Sequence, residues 1–315
     1  MKNLFKYYLK LIWPIQRLFS KKIIRCNECL NIVKHKQTCE GCIAFKEKIN
    51  SIADSTKIEY ERFQKEINKS ITIHKKYDFS FMLSGGKDSC YSLHRFKKEF
   101  PSAKILCILI NNGFYEKVVF DNCKKITETL GYDLHIDNSN KNRFLNIFKR
   151  GFETFLENKE EYNSIDMLDG ITIFQIGEEI SLRMGIPNIL CGMTLPQVEN
   201  IVGTRKCCLY NETSCVIFPL IAWNYNLEDI QDVCNQHDIE SSLISTNNIL
   251  IPAICALDIL KNGFCSFERE ISKNIRYGYC NRNHYVNMFD CLTWMTNKGL
   301  LDKEIAKAKK ILDVV

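Results

Sequence analysis

The stretch that decides the fold is FSFMLSGGKDSCYS, residues 79–92. A short apolar run leads directly into two glycines, and apolar residues then recur at helical spacing, which predicts strand, loop and helix in that order. Gly85 and Gly86 allow positive φ angles and let a ligand approach the backbone closely. The unpaired N–H groups of the following helix would face an anion. The stretch therefore predicts a phosphate cradle, and a plain connecting turn is the alternative.

The loop departs from the Walker A pattern. That pattern needs two glycines five positions apart and a Ser or Thr directly after the lysine. In this chain Asp88 follows Lys87. The sequence thus predicts a phosphate-binding loop of another class.

Composition and charge indicate an ordinary globular protein. Of its 315 residues, 45% are hydrophobic and 25% charged, enough for a full core in one large or two modest domains. The net charge of +6 admits anionic substrates such as nucleotides but does not by itself indicate nucleic acid. Sixteen cysteines without a convincing signal peptide predict a reduced, cytoplasmic setting. No apolar run approaches the roughly 20 residues that span a bilayer.

Two cysteine pairs precede the loop, Cys26 with Cys29 and Cys39 with Cys42. Four thiolates in paired CxxC spacing suit a tetrahedral zinc ion, because each pair forms a small knuckle that supplies two ligands. We predict a structural Zn2+ site that serves folding or the docking of a partner. An iron–sulfur cluster and redox-active thiols are the alternatives.

Downstream of the loop, apolar runs typical of buried strands alternate with segments typical of helices. The strand-like runs are at 103–112 and 187–193, and the helix-like segments are at 118–134, ending at Gly131, and 172–186. This alternation predicts an α/β fold with a doubly wound parallel sheet. Such sheets bind ligands beyond the carboxyl ends of their strands. Three loops would meet there, at residues 84–89, 111–114 and 192–194.

We predict five segments along the chain. A basic amphipathic N-terminal segment is followed by a four-cysteine zinc knuckle, a helical spacer, a nucleotide-binding domain and a helical C-terminal region. Their boundaries are 1–24, 25–45, 46–76, 77–238 and 239–315.

The N-terminal segment, residues 1–22, mixes basic and apolar residues. One helical face would consist of Leu4, Tyr8, Leu11, Ile12 and Ile15, with Lys2, Lys6, Lys10, Arg17, Lys21 and Lys22 beside it. This favours either a helix lying on an anionic membrane surface or one packed on the protein body or a second subunit. Pro14 interrupts the helix and weighs against the membrane interpretation.

The string Ser84-Gly85-Gly86-Lys87-Asp88-Ser89 resembles the SGGxDS signature of the PP-loop ATP pyrophosphatases, which are adenine nucleotide alpha hydrolase-like proteins. Within that superfamily the layout is most similar to the N-acetyl sugar amidotransferases of surface-polysaccharide biosynthesis. Those proteins also carry two cysteine pairs, a spacer and then the loop.

Two further turns carry this resemblance. Residues 111–114, Asn-Asn-Gly-Phe, resemble the family's Asp-Asn-Gly-Trp/Phe turn, and Gly192 lies where the family has a later Gly-rich turn. FPLIAWNYNLEDI, residues 218–230, is similar to the stretch that follows the nucleotide site in the superfamily. Asn111 in place of aspartate, and Met193-Thr194 in place of Gly-Asn, depart from the pattern.

The resemblance implies a reaction and a set of site residues. ATP would place its pyrophosphate in the loop and adenylate a substrate carbonyl oxygen, after which a nitrogen nucleophile displaces AMP. Lys87 and Asp88 are the implied catalytic residues, and Asp88 is the nearest candidate ligand for Mg2+. The other implied nucleotide contacts are Ser84, Gly85, Gly86, Ser89, Asn112, Gly113, Gly192, Arg276 and Arg282. For the two arginines, an ordinary basic surface helix is the alternative.

The implied partners are ATP, a sugar substrate and a separate glutaminase subunit as the ammonia source, since no glutaminase-like module is visible. The setting would be cytoplasmic, at the inner membrane face if residues 1–22 dock there. Two other functions stay open: a tRNA-thiolating sulfurtransferase and a non-catalytic nucleotide-binding scaffold. The candidate thiols for thiolation are Cys123, Cys191, Cys207, Cys208 and Cys215.

Overall fold

The computed structural model describes residues 2–20, 23–72, 75–161, 165–240 and 247–314. Within these residues, six strands form one sheet. The strands are β1 (Phe79–Met82), β2 (Ile105–Ile110), β3 (Asp133–Asp137), β4 (Asn188–Cys191), β5 (Cys208–Tyr210) and β6 (Cys215–Ile217). Every neighbouring pair is parallel except β5 and β6, which are antiparallel. The interior strand β2 is buried along its whole length, which explains its unbroken apolar sequence ILCILI.

The strand order, β3-β2-β1-β4-β6-β5, reverses its direction of travel at β1. The chain winds outward through β2 and β3 and then crosses back to place β4 on the other side of β1. The carboxyl ends of β1 and β4 therefore border a crevice, which is where doubly wound sheets bind ligands. The predicted doubly wound α/β fold is confirmed.

Helices make up most of the remaining described chain. They are α1 (Lys2–Tyr7), α2 (Trp13–Gln16), α3 (Glu40–Ser70), α4 (Lys87–Glu99), α5 (Lys117–Leu130), α6 (Lys141–Glu157), α7 (Ile165–Arg183), α8 (Leu195–Ile201), α9 (Pro219–Ala222), α10 (Leu227–Gln236), α11 (Ile251–Asn262), α12 (Phe267–Arg276), α13 (Arg282–Asn297) and α14 (Asp302–Leu312). The last four confirm that the C-terminal region is helical. A short 3-10 turn lies at Lys159–Glu161.

Two helix ends show what the sequence pattern does and does not reveal. Helix α5 ends at Gly131, as predicted, because that glycine adopts the left-handed conformation (φ 70°) of a helix C-cap. Helix α7 begins at Ile165, earlier than the predicted start at residue 172. Asp169-Gly170 is typical of a turn, and it hides the first two turns of that helix in the sequence.

The long helix α3 is packed on the sheet through aromatic side chains. The ring centroid of Phe63 lies 6.3 Å from that of Phe96 in α4 and 5.5 Å from that of Trp223. Phe96 in turn lies 5.6 Å from Phe79 in β1. The predicted spacer is therefore joined to the core of the α/β domain, and its exact boundaries stay a prediction.

The N-terminal helix contains a π-helical turn, Tyr8–Ile12, between α1 and α2. Pro14 has no N–H to donate, and such residues are accommodated at widened or kinked helical turns. The extra residue per turn rotates the later side chains, so the predicted apolar face is only partly observed. Leu11 and Ile15 are exposed, whereas Tyr8 packs 6.2 Å from the ring of Trp294. The side chain of Leu4, and residues 21–22, lie outside the described parts.

No helix among the described residues is long and apolar enough to cross a membrane.

Candidate nucleotide site and four-cysteine site

The glycine loop after β1 adopts a backbone that requires glycine. Gly85 has a φ angle of +66°, and a Cβ atom there would lie only 2.6 Å from the carbonyl oxygen of Val119 in α5. The side chain of Asn122, also in α5, donates a hydrogen bond to the Gly85 carbonyl at 2.8 Å. The loop is therefore held in a fixed shape against α5, with a backbone that a ligand can approach.

The two serines of the loop brace its interior. The hydroxyl groups of Ser84 and Ser89 lie 3.0 Å apart, and the Ser89 hydroxyl donates to the carbonyl of Gly86 at 3.0 Å. The N–H of Gly86 points at the Ser84 hydroxyl at 3.4 Å. Hydroxyl and N–H groups are thus gathered at the start of α4, where the helix dipole favours an anion.

Lys87 and Asp88 form an ion pair at the first turn of α4. Lys87 Nζ lies 2.6 Å from Asp88 Oδ1, and the two side chains are 30% and 23% exposed, so a ligand can reach both. Burial lowers the pKa of Lys87, but the Asp88 carboxylate outweighs this effect and raises that pKa. Lys87 is therefore a permanent cation at the mouth of the loop.

A carboxyl group from the C-terminal half of the chain lies within electrostatic range of this ion pair. Glu270 in α12 interacts electrostatically with Asp88 and Lys87 and accepts a hydrogen bond from Gln197 at 3.0 Å. Burial raises the pKa of Glu270. Sequence reasoning missed this carboxylate, because it lies in an ordinary amphipathic helix and no motif marks it. Asp88 and Glu270 together offer oxygen ligands that Mg2+ prefers.

Cys234 and Cys280 lie within electrostatic range of the ion pair of Lys87 and Asp88, since each would raise the pKa of Lys87 when ionised. Of the sixteen cysteines these two are partly exposed, and the other fourteen are buried. Burial raises the pKa of each thiol to about 11. Sequence reasoning named neither residue.

A row of tyrosine rings joins α4 to the segment before α13. The rings of Tyr225 and Tyr279 are stacked with centroids 4.5 Å apart, and Tyr91 of α4 lies 5.6 Å from Tyr225. Tyr277 continues the row at 5.7 Å from Tyr279. Burial raises the pKa of Tyr225 well above its ordinary value, and Asp88 is among the charges that add to this shift. The row therefore begins at Tyr91 in α4, the helix that follows the glycine loop.

The turn after β2 satisfies its own polar groups. Asn112 is fully buried, accepts a hydrogen bond from the N–H of Phe114 at 3.0 Å, and donates to Asp169 in α7 at 3.3 Å. Gly113 has a φ angle of +87°, and its N–H donates a hydrogen bond to the side-chain oxygen of Asn111 at 2.9 Å. Asn112 thus holds the turn and α7 together, and contact of Asn112 and Gly113 with a nucleotide stays a prediction.

Gly192 brings the end of β4 against the glycine loop. A Cβ atom at this position would lie 2.8 Å from the Cα of Ser89, a backbone atom that cannot move aside. The preceding residue, Cys191, is buried, and its burial raises the pKa of the thiol to about 12. The structure therefore gives Gly192 a packing role beside the predicted site.

The thiols that the sequence suggested for sulfur chemistry are all covered. Their side chains lie in the core, and the group consists of Cys123, Cys191, Cys207, Cys208 and Cys215. A buried thiol with no solvent access cannot exchange with an external sulfur donor without movement of the fold.

The four cysteines of the N-terminal pairs converge on one point. Their sulfur atoms all lie within 4.8 Å of one another, with Cys26 to Cys42 at 3.7 Å and Cys29 to Cys39 at 3.6 Å. Burial raises the pKa of Cys26, but the N–H groups of Cys39 and Glu28, at 3.2 and 3.4 Å from its sulfur, lower it to about 6. These N–H groups orient the sulfurs as the turns of a metal knuckle do.

Both predicted phosphate-gripping arginines contact this four-cysteine site. Arg276 Nε points at the sulfur of Cys42 at 3.2 Å, and its Nη2 lies 3.5 Å from that of Cys29. Arg282 donates to the carbonyl of Cys26 at 2.6 Å and to that of Cys29 at 3.2 Å. The guanidinium groups are therefore engaged at the cysteines, and a contact of either with ATP stays a prediction.

Comparisons with known proteins give the following. No protein-family model matches the chain, and no curated protein matches it. The chain is similar to the solved structure of the U34-tRNA thiolase NcsA from Methanococcus maripaludis with its 4Fe-4S cluster. The identity is 15% and the TM-score 0.41, over 94% of this chain and 89% of that one. It is also similar to a phosphoadenylyl-sulfate reductase from Candida auris in its phosphate complex, at 14% identity and a TM-score of 0.37, over 68% of this chain and 92% of that one. Likenesses this weak carry no functional argument. The functional argument rests on the geometry of the site itself.

Asp169 generates a prediction about pH. Burial raises the pKa of its carboxyl to about 7, although the hydrogen bond from Asn112 lowers it. The folded state therefore keeps a proton that the unfolded chain releases above its ordinary pKa of about 4. The free energy of unfolding should fall as pH rises from about 4 to about 7.

Asp169→Asn keeps an amide beside Asn112 and removes the titration. Urea unfolding should show the variant more stable than the natural protein at about pH 8 and equal to it near pH 4. Asp121→Asn, at an exposed carboxylate of α5, is the matched control and should leave the pH profile unchanged. Identical pH profiles for Asp169→Asn and the natural chain would contradict the assignment.

Proposed function

We propose that this chain is a PP-loop enzyme that uses ATP to adenylate a substrate and releases pyrophosphate. The observation that carries the proposal is the position of the Ser84–Ser89 loop. It lies at the switch point of a doubly wound sheet, with Lys87 and Asp88 partly exposed at the start of α4. This is the structural context that the SGGKDS signature requires, strand before and helix after.

The residues of the loop suit a leaving pyrophosphate. The substrate oxygen forms a bond to the α-phosphorus while the bond to the bridging oxygen breaks, and the electron pair leaves with pyrophosphate. Fixed N–H groups at Gly85 and Gly86, the two serine hydroxyls and the Lys87 cation stabilise the charge that develops there. Mg2+, held by Asp88 with Glu270 opposite, would supply charge neutralisation. Positioning and electrostatics are the main terms in such transfers.

For the acceptor we propose an N-acetyl sugar in surface-polysaccharide biosynthesis. Adenylation of its amide oxygen makes that oxygen a leaving group, and ammonia then attacks the carbon as AMP departs with the oxygen. The support is the chain order of four-cysteine site, helix and loop, together with the Asn-Asn-Gly-Phe turn after β2. Ammonia would come from a separate glutaminase subunit in the cytoplasm.

A second candidate is a sulfurtransferase acting on tRNA. The observation that favours it is that Cys234 and Cys280 are partly exposed and lie within electrostatic range of Lys87 and Asp88. A thiol at this place would lie near an adenylated acceptor. The cysteines that the sequence suggested for this chemistry are buried, so the candidate now depends on these two residues.

We also propose that the four cysteines bind one zinc ion. A tetrahedral site with Zn–S bonds of about 2.3 Å places neighbouring sulfurs about 3.8 Å apart. The observed separations of 3.7 and 3.6 Å fit a single ion. An iron–sulfur cubane interposes irons and sulfides between its thiolates and therefore needs a wider set of sulfurs.

The first test follows the products of ATP. Lys87→Ala and Asp88→Ala should each lower acceptor-dependent pyrophosphate release by about a hundredfold or more, because charge stabilisation of the leaving group is lost. The measurement is a coupled pyrophosphate assay with AMP quantified in parallel. Lys125→Ala is the matched control. Lys125 lies in α5 and pairs with Asp238, so this change also removes one lysine–aspartate ion pair. Formation of ADP and phosphate would refute adenylation, and ATP binding without any product would indicate a scaffold.

The second test concerns the metal. Metal analysis of the purified protein should find one zinc ion per chain, and Cys26→Ser or Cys39→Ser should lose it. Cys234→Ser, outside the group, should keep it. The metal-free variants should also bind ATP more weakly. Arg276 and Arg282, which contact the four cysteines, flank the segment that carries Tyr277 and Tyr279, and loss of the metal would loosen that segment. A visible absorbance typical of iron and sulfide would overturn the zinc assignment.

The third test separates the acceptors. A nucleotide-linked N-acetyl sugar should stimulate pyrophosphate release, and bulk tRNA should not. Cys280→Ser and Cys234→Ser should leave the rate within about twofold, since the amidotransferase reaction needs no thiol. Stimulation by tRNA alone, together with loss of activity in Cys280→Ser, would establish the sulfurtransferase in its place.

A further inference from the structure

The N-terminal helical segment, residues 2–20, is attached to the protein by one of its faces. Phe5 and Trp13 are buried, and the Trp13 ring lies 6.0 Å from the ring of Trp294 in α13. Arg17 donates to the side chain of Asn287, also in α13, at 2.8 Å. The segment is thus a fixed element of the fold, held on the C-terminal helices.

A second apolar face of the same segment points to solvent. Its members are Tyr7, Leu11, Ile15, Leu18 and Phe19, with exposures of 50, 59, 59, 72 and 82%. Tyr7, Leu11 and Ile15 follow one another at intervals of four residues, and Leu18 and Phe19 lie in the turn directly after α2. Leu18 and Phe19 are the two most exposed large apolar side chains among the described residues. A continuous apolar stripe of this kind marks an interaction site.

The charges beside the stripe indicate what covers it. Lys6 and Lys10 are exposed in the same segment, whereas Arg17 is engaged with Asn287 of α13. The first acidic residue of the chain is Glu28, which leaves the preceding 27 positions without a negative charge. Exposed apolar residues with lysines beside them, in a segment that has no acidic residue of its own, are complementary to an anionic lipid surface.

We propose that this exposed face binds an anionic lipid surface, with the helix lying in the plane of the interface. The stripe would enter the acyl boundary while the cations meet the lipid phosphates. Because Trp13 holds the helix on α13, binding would keep the rest of the protein at a fixed distance from the bilayer. The proposal is independent of the adenylation reaction.

The test is flotation of the full chain with lipid vesicles. Vesicles of phosphatidylcholine mixed with phosphatidylglycerol should bind the protein, and vesicles of phosphatidylcholine alone should bind it much less. Leu18→Ser with Phe19→Ser should weaken binding about tenfold or more, from the loss of buried apolar area. Lys6→Ala and Lys10→Ala should each weaken it about fivefold and flatten its salt dependence.

The matched control removes two apolar side chains elsewhere on the surface. Ile58 and Leu156 are 57% and 45% exposed in α3 and α6, and their replacement by serine should leave vesicle binding unchanged. ATP binding, measured on every variant, reports separately on the nucleotide site. Three outcomes overturn the proposal: no binding to anionic vesicles, equal weakening by the control pair, or an oligomer that Leu18→Ser with Phe19→Ser dissociates while vesicles are ignored.

Discussion

The structure of the candidate site depends on the contact between Gly85 and the backbone of α5. A side chain at residue 85 would meet the carbonyl of Val119 at 2.6 Å, so the loop and α5 approach each other as closely as two backbones can. Gly192 makes a similar approach from the other side, where its missing side chain leaves room for Ser89. The first turn of α4 is therefore fixed between two neighbours. Lys87 and Asp88 have a defined direction only because both contacts exist.

The four-cysteine site is connected to the C-terminal helices that pack near the candidate site. Arg25 pairs with Asp290 of α13 at 2.8 Å and with Glu268 of α12, which ties the knuckle to the C-terminal helices. Arg276 and Arg282 then hold the two ends of the segment between those helices. That short segment carries Tyr279 and Cys280. A cluster distant in sequence thus fixes the position of the segment that joins α12 to α13.

The sequence predicted the elements whose signals are local. Gly85 and Gly86 between a strand and a helix, Gly131 at a helix end, and paired cysteines each carry their own evidence, and the fold class followed from the alternation of apolar runs. Residues that act across the fold had no such signal. Glu270 and Cys280 reach the loop only through tertiary packing.

The same limit explains Arg276 and the N-terminal face. A basic residue near phosphate chemistry indicates a phosphate contact, yet the fold directs Arg276 onto sulfur. The apolar face predicted for residues 4–15 assumed regular helical spacing, and the π-helical turn at Tyr8–Ile12 rotates it. A one-residue change in helical repeat cannot be read from hydrophobic periodicity.

The charge on Arg276 explains physically why the four-cysteine site is linked to the segment between α12 and α13. Four thiolates around a divalent ion carry a net charge of −2, which is costly to bury without a counter-charge. Gly41 leaves room for the guanidinium, since a Cβ there would lie 2.8 Å from Arg276 Nη2. Burial lowers the pKa of Arg276, but the sulfurs of Cys42 and Cys29 outweigh this effect and raise that pKa. The guanidinium charge and the sulfur charge therefore stabilise each other. If the thiols are protonated that attraction is lost, and with it one of the two anchors of the segment that carries Tyr279. Ionisation of the cysteines therefore bears on how firmly Arg276 holds that segment.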